Sequence, residues 1–428
     1  NVTGAAEALA RLARRGLRVL AVARRAGRGE TWQEAERELE LLGLVGLQDP
    51  PRDDVEDAIA SCRSAGIRIA MITGDHPVTA RAIAEQAGLL GPDALVLEGA
   101  DLPADQDELG AVLDRDGVVV ARVTPEDKLR IATALQRKGH VVAMTGDGVN
   151  DGPALRAADI GVAMGASGTD VAREAADLVL LDDHFGTIVA AVELGRATFA
   201  NIRRFLTYHL TDNVAELTPF VVWALSGGSI PLAISVLQVL ALDIGTDLLP
   251  ALALGAEPPN KRTMIGRLRT GSLIDAGLLR RVFLVLGPAE AVMAMLAFLA
   301  VLLVGGWHFG TAPDTALLAT ASGTAFAAIV LGQLANAYAC RSATRPAPKV
   351  GLRGNRLLLL AVVFELAVLA VFLFLPPLPH LLGGSAPSAL GWGLALAAVP
   401  VVVAADAVAK AFLVRKTQFT RPERHLTP

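Results

Sequence analysis

Between residues 205 and 413 the chain consists almost wholly of apolar blocks about 20 residues long, and this run limits what the molecule can fold into. A helix needs roughly 20 apolar residues to cross a hydrocarbon layer about 30 Å thick. Six such blocks are read, near residues 205–225, 231–254, 281–304, 316–340, 357–376 and 389–413. The first 204 residues instead carry most of the acids and bases, so the chain is expected to be a soluble module followed by a membrane module. The bulk figures of 53% hydrophobic residues and a mean hydropathy of +0.47 average these two unlike parts.

Basic residues mark alternate connections between the blocks. Lys261, Arg262, Arg267 and Arg269 follow the second block, and Arg341, Arg345, Lys349, Arg353 and Arg356 follow the fourth. Lys410, Arg415 and Lys416 lie at the end, and the other connections contain neither Lys nor Arg. By the positive-inside rule the soluble module and the C-terminus are expected on the cytoplasmic side of a cell membrane. A net charge of -4 with no basic, aromatic-interleaved patch gives no reason to expect nucleic acid. Cys62 and Cys340 lie far apart in unlike contexts, so no disulfide framework is expected and the soluble part fits a reducing cytosol. The chain opens at Asn1 without a signal peptide and reads as part of a longer gene product.

Within the soluble module helical and strand patterns alternate. EALARLARRG has helical spacing, VLAVA reads as a strand, and ELELLGLVGL as a buried strand ending at Pro50 and Pro51. VEDAIASCRSAG is expected to be a helix stopped by Gly66, IRIAMI a strand, and PVTARAIAEQAG a helix opened by Pro77 and closed at Gly88. GVVVARV, TPEDKLRIATALQRKG and HVVAM repeat the alternation. The expected fold is α/β and Rossmann-like, a parallel sheet covered by helices with its functional loops at the strand C-termini.

Two of those loops share one string. IRIAMI runs into Thr73-Gly74-Asp75, and HVVAM runs into Thr145-Gly146-Asp147-Gly148-Val149-Asn150-Asp151. Glycines let backbone N–H groups approach phosphate oxygens, the Thr73 hydroxyl can donate, and Asp147 and Asp151 are hard oxygen ligands suited to Mg²⁺. Lys128 opens the helix of PEDKLR and can supply positive charge to a transferring phosphoryl group. One TGD loop alone reads as an ordinary strand-to-turn transition; two with a Lys, in this order, do not.

MITGDHPVTA and MTGDGVNDGPAL resemble the hinge and phosphorylation-domain signatures of type II P-type cation-transporting ATPases, whose phosphorylation domain has the haloacid dehalogenase fold. The resemblance covers nearly the whole chain, from the end of a nucleotide domain through six C-terminal membrane helices. It implies that Thr73 contacts the phosphoryl group, that Gly74, Asp75 and Arg122 serve the nucleotide end, and that Lys128 pairs with a phosphoaspartate. It implies further that Asp147 holds Mg²⁺, with Asn150 and Asp151 completing the site, and that ATP is the cosubstrate. The family's Asp-Lys-Thr-Gly nucleophile string and its actuator Thr-Gly-Glu loop do not occur here. The chain alone is therefore expected to be inactive, with a missing N-terminal half of the pump as its partner.

The apolar blocks carry polar residues at helical spacing. TDNVAELTPF puts Asn213 and Glu216 on one face with Pro219 beyond, and LDIGTDLLPALALG puts Asp243, Thr246 and Asp247 on another, with Gly245 and Pro250 able to open the helix. Each ionised residue at mid-bilayer costs about 2.5 to 3.5 kcal/mol on insertion scales, so the group reads as a binding site more than as hydrogen-bonded glue between helices. The family resemblance makes these positions ligands of a transported cation. Oxygen ligands suit Ca²⁺ or Na⁺/K⁺ and disfavour soft metals. DIGTD resembles sodium-potassium pumps and LPALALGAEPP calcium pumps; calcium-type export is the favoured expectation. Gln333, Asn336, Glu290 and Glu365 are further polar groups in the blocks, open to roles in a site, a proton path or helix packing.

The expected organisation is the end of a nucleotide domain over 1–40, a phosphorylation domain over 41–204, a six-helix transmembrane bundle over 205–414 and a tail over 415–428. Two rivals stay open at this point. One is a noncatalytic pump remnant serving as an ion-binding or regulatory partner; the other is a membrane-tethered phosphatase, for which Asp49 before two prolines is a poor nucleophile.

Overall fold

The computed structural model of the protein describes residues 2–25, 39–48, 50–91, 94–260, 262–266, 272–351 and 354–419. They group into two units, residues 1–194 with 261–268 and residues 195–260 with 269–428.

The first unit begins with helix α1, Val2–Arg14, and an antiparallel pair, β1 at Arg18–Arg24 and β2 at Glu40–Leu47. The expectation of a buried strand here is corrected: Leu41, Leu42, Val45 and Leu47 of β2 are exposed, as are Leu20 and Val22 of β1. Among the described residues, only Gly16 and Leu17 of this region are buried. Apolarity alone could not tell a covered strand from an uncovered one.

The α/β pattern follows as read. Helix α2 spans Val55–Ser64, β3 Ala70–Ile72, α3 Pro77–Gln86, β4 Val96–Glu98, α4 Gln106–Leu113, β5 Val118–Ala121 and α5 Pro125–Arg137. Then come β6 at Ala143–Gly146, α6 at Gly152–Ala157, β7 at Ile160–Met164, α7 at Asp170–Ala175 and β8 at Leu178–Leu180. All pairings after β2 are parallel, but the hydrogen bonds form two three-stranded sheets, β3-β5-β4 and β6-β7-β8, where one continuous sheet was expected. Each of β3 and β6, the strands that end in TGD loops, pairs on one side only among the described residues.

The period-two alternation of β5 explains why it is central. Val118 and Val120 pack with Leu109 and Ile131 on one face, while Val119 and Ala121 pack with Ile59, Ala80 and Ala84 on the other. A strand covered on both faces must be apolar throughout, as this one is. Helix α5 starts where Thr124 and Asp127 close a capping box before Pro125, which fixes the position of Lys128 in the first turn. Asp183 ties the loop after β7: its carboxylate accepts from Ala166 N and Ser167 N at 3.0 and 2.8 Å. Hydrogen bonding to the Ser167 side chain and these N–H groups holds that carboxyl down to about 2, against the opposing effect of burial.

Helix α8, Phe185–Leu225, enters the second unit at Gly195. The second unit continues with α9, Val236–Leu242, a π-helical turn at Asp243–Asp247, and α10, Leu248–Gly255. Next are α11 at Ala276–Arg281, a second π turn at Val282–Leu286, α12 at Gly287–Val304, α13 at Thr315–Cys340, α14 at Arg356–Phe374 and α15 at Ala389–Phe419. Five stretches among the described residues are long and apolar enough to cross a membrane: Val236–Gly255, Ala276–Val304, Thr315–Cys340, Arg356–Phe374 and Ala389–Phe412. The expected first span is helical within α8 but is not among them, because Asp212, Asn213 and Glu216 depress its hydropathy. The second starts five residues later than expected, at Val236, where Ser235 and Gln238 form a capping box. Helix α13 is buried without a break from Ala321 to Ala337, a stretch rich in Ala, Gly, Ser and Thr that lets neighbouring helices approach.

Two basic residues read as loop markers lie inside this unit. Arg341 is 4% exposed, and its guanidinium grips Glu257 with Nη2 at 2.7 Å from Oε1. Lys410 is buried within α15, bonded to Asp406 and to the carbonyls of Ala339 and Arg345 at 2.9 and 3.0 Å. Arg281 completes that knot, Nη2 lying 2.8 Å from Asp406 Oδ1. Asp406→Ala would leave buried Lys410 and half-buried Arg281 without a counter-charge, so thermal denaturation in detergent is expected to show a loss of about 3 to 5 kcal/mol, or outright failure to accumulate. A melting temperature equal to that of the parent would contradict this role.

Candidate functional site

In the first unit the two TGD loops are built differently. The Thr73 hydroxyl donates to Asp75 Oδ2 at 3.0 Å and accepts from Asp75 N at 3.1 Å, closing the loop on itself. Backbone bonds from Arg122 N to Asp75 O and from Val123 N to Thr73 O, at 3.0 and 3.2 Å, fasten it to the end of β5. Arg122 takes a left-handed φ of 51° there, and its exposed side chain lies 3.6 Å from Glu98. Gly74 and Asp75 border a cleft of about 800 Å³ whose other wall includes Leu9, Ala13 and Leu17.

The second loop is organised around Asp151. Its Oδ1 lies 2.5 Å from Lys128 Nζ, and its Oδ2 accepts from Asp147 N and Gly148 N at 3.3 and 3.1 Å. Asp151 is 7% exposed, so the pair with Lys128 is a partly buried, charge-assisted one. Gly146 makes this closure possible: a Cβ there would sit 2.5 Å from Asp151 Cβ. Thr169, the N-cap of α7, donates from N and Oγ1 to Asp147 O at 2.9 and 3.2 Å and pins the loop from the other side. The Asp147 carboxylate is exposed and has no partner among the described residues, and Asn150 is exposed beside it.

This donor set fits a small hard cation: Asp147 offers an uncommitted carboxylate at a loop already crowded with N–H groups, and Asp151 offers a second. Sequence reading placed Lys128 opposite a phosphate; in the structure its ammonium rests on Asp151. The pairing could have been anticipated, since a Lys aimed into a loop with two carboxylates finds its counter-charge there.

In the second unit Glu216, Asp243 and Asp247 converge, each offering an oxygen within 4.8 Å of the others. Glu216 and Asp247 are each 2% exposed, whereas Asp243 is exposed. Gln333 joins them, donating from Nε2 to Glu216 Oε1 at 3.0 Å while its Oε1 lies 3.5 Å from Thr246 Oγ1. The expected opening of the helix at Gly245 takes the form of the π turn over Asp243–Asp247; Pro250 sits inside α10. A π turn widens the helix locally and is a common way of aiming side chains and carbonyls into a site.

Asn213 does not join the group by a hydrogen bond: its Nδ2 turns back to His209 O at 2.9 Å. Its neighbour Asp212, passed over in the sequence, is fully buried and takes Asn336 Nδ2 on Oδ1 at 2.9 Å. A carboxylate one position along a helix from an Asn points about 100° away, so only knowledge of which face is packed could choose between them.

Comparisons with known proteins agree with this division. Residues 2–159 match the haloacid dehalogenase-like hydrolase family model, and residues 231–412 match the model for the cation transporting ATPase C-terminus. The chain is 40% identical over 412 residues to a calcium-transporting ATPase of Bacillus subtilis (strain 168), covering 94% of this chain and 44% of that protein. It is 37% identical over 384 residues to calcium-transporting ATPase 1 of Bacillus cereus (strain ATCC 10987 / NRS 248), covering 86% and 42%. With the alpha-2 subunit of the sodium/potassium-transporting ATPase of Rattus norvegicus it shares 34% identity over 391 residues, covering 78% and 38%.

A haloacid dehalogenase-like α/β unit followed by a unit of membrane-type apolar helices with a buried carboxylate cluster defines the class of the P-type ATPases. Within that class the chain belongs to the P-type cation-transporting ATPases, and it corresponds to their C-terminal half. It spans less than half the length of the curated relatives named here.

Proposed function

We propose that this chain is the energy-coupling and membrane part of an ATP-driven cation pump of the aspartyl-phosphate type, with calcium export favoured. The observation that carries the reading is the buried convergence of Glu216 and Asp247 with Asp243 in a unit of membrane-type helices. Carboxylates in such surroundings are costly unless they bind something. In calcium's favour are the hard, all-oxygen donors and the two bacterial relatives named as calcium-transporting; the rat relative keeps Na⁺/K⁺ as the alternative ion.

The phosphorylated Asp would come from an upstream half. Two features support this: the edges of β3 and β6 that are unpaired among the described residues, both on strands ending in TGD loops, suit a strand carrying an acceptor at its C-terminal end, and the exposed apolar residues of β1 and β2 suit a covering partner. Thr73 would donate to the phosphoryl group. Lys128 would leave Asp151 for the incoming negative charge, lowering its electrostatic cost. Asp147 and Asp151, with Asn150, would hold Mg²⁺, which when bound neutralises phosphate charge. Gly74, Asp75 and Arg122 would face the nucleotide, and the adjacent cleft is of a size that suits one. The soluble unit would lie in the cytoplasm and the bundle in the cell membrane.

The direct test joins this chain to an upstream segment containing Asp-Lys-Thr-Gly and measures ³²P incorporation from labelled ATP in membrane vesicles. Acid-stable, Ca²⁺-stimulated labelling is expected for the joined protein and none for the chain alone. Labelling that ignores every cation offered would reject the reading.

A further inference from the structure

The Asp147 carboxylate is exposed and has no partner among the described residues, so its direction is set by its own main chain. That main chain is held on both sides. Asp147 N donates to Asp151 Oδ2 in a long bond of 3.3 Å. Asp147 O accepts two hydrogen bonds, from Thr169 N at 2.9 Å and from Thr169 Oγ1 at 3.2 Å. Both lone pairs of that carbonyl are therefore taken by one residue, 22 positions further along the chain.

Thr169 closes a loop, residues 165–169 between β7 and α7, that is tied down over its whole length. Gly165 N donates to Leu180 O at 2.8 Å, and Ala166 N and Ser167 N donate to the Asp183 carboxylate at 3.0 and 2.8 Å. The Arg173 guanidinium, in the first turn of α7, donates to Gly165 O and Gly168 O at 2.9 and 2.7 Å. The Thr169 hydroxyl also accepts from Ala172 N at 3.3 Å and so caps α7. Asp183 is itself buried at a left-handed φ of 55°, and its carbonyl accepts from Arg52. Water could serve the polar groups of an ordinary surface loop equally well. Protein bonds on so many of them instead remove freedom from Thr169, and through it from Asp147.

We propose that Thr169 is a positioning residue for the Asp147 carboxylate, with Asp183 and Arg173 bracing the loop that carries it, and that this bracing sets the affinity of the site for a divalent cation. The inference rests on the reading above that Asp147 holds Mg²⁺. A carboxylate on a loose main chain must be ordered when it takes up a metal, and that ordering is subtracted from the affinity. On a fixed main chain only the side-chain torsions remain to be settled. Groups that orient a metal ligand change metal affinity by about 10 to 100-fold when removed. One of the two bonds from Thr169 survives loss of the hydroxyl, so the lower figure applies here.

The experiment is titration of the full chain in detergent with Mn²⁺, read from the electron paramagnetic resonance of the free ion, with circular dichroism melting as the folding control. Only the binding that Asp147→Asn abolishes is counted, which sets aside any Mn²⁺ taken by the acids of the second unit. Thr169→Gly is the informative variant, because Gly caps a helix nearly as well as Thr and α7 is kept while the second donor to Asp147 O is lost. It is expected to weaken the counted binding about tenfold with a melting temperature near that of the parent. Thr169→Ser, which restores the hydroxyl, is expected to bind within about twofold of wild type, and Asp183→Asn to bind about threefold more weakly although it touches neither Asp147 nor Asp151. If Thr169→Gly binds as wild type does while Asp147→Asn does not bind, Thr169 positions nothing and Asp147 remains a metal ligand. If Thr169→Ser is as weak as Thr169→Gly and both melt early, the residue serves folding alone and the proposal is equally overturned. Binding that survives Asp147→Asn unchanged, or none at all by a folded wild-type chain, overturns the Mg²⁺ reading and this inference with it.

Discussion

Asp151→Asn, made in the chain joined to a phosphate-accepting upstream half, is expected to slow phosphorylation from ATP by roughly 10² to 10³-fold with little change in nucleotide affinity. The carboxylate has two tasks. Through Oδ2 it closes the loop on Asp147 N and Gly148 N, and through Oδ1 it holds Lys128 in the first turn of α5. An Asn can keep one of these with its carbonyl oxygen, but its NH₂ then points donors at either a backbone N–H or an ammonium. Charge-assisted bonds contribute about 1.5 to 3 kcal/mol each, and losing one also lets Lys128 swing away from where charge develops. Lys128→Met should slow the step comparably and in addition destabilise the unit, because it strands a carboxylate that is 7% exposed. Quenched-flow ³²P labelling measures the rate and a thermal melt separates folding from chemistry. A folded Asp151→Asn protein labelling within threefold of the parent rate would remove Asp151 from the site.

How far the sequence alone leads depends on whether local or tertiary physics decides the question. Gly66 and Gly88 end their helices as read, because a positive φ is a property of the residue and its immediate turn. The capping box at Thr124 and the strand β5 are local in the same sense. Exposure of β2 was not legible, since Leu-rich strands read alike whether or not a neighbour covers them. Lys410 and Arg341 looked like loop charges because the groups that hold them inside, Ala339 O and Arg345 O around Lys410 and Glu257 at 84 residues from Arg341, become visible only when the helices are assembled. Asp212 was missed for the same reason: the residue that identifies it is Asn336, 124 positions on. The division into two three-stranded sheets was equally hidden, because a strand's own residues do not say which of its edges will be paired.

The carboxylate triad leads to the other large effect. Three oxygens within 4.8 Å of one another can all lie within about 2.8 Å of one ion, so small side-chain adjustments let Glu216, Asp243 and Asp247 close on Ca²⁺ at its usual ligand distance of about 2.4 Å. Glu216→Gln keeps the shape and the acceptor for Gln333 but removes one unit of charge from a position 2% exposed. Loss of a charged ligand there costs about 3 kcal/mol, which raises the half-maximal Ca²⁺ concentration for phosphorylation by roughly 100-fold. Asp247→Asn should be worse, because Asp247 also lies at the end of the Tyr208 hydroxyl, 3.5 Å away, and sits in the π turn that shapes the pocket. Asp243→Asn should be milder, since that carboxylate is exposed and water replaces what it loses. The ranking Asp247, Glu216, Asp243 therefore tests burial as the source of affinity, read from Ca²⁺ titrations of ³²P labelling in the joined protein. Equal small shifts in all three variants would mean the ion binds elsewhere and the convergence of these side chains serves packing.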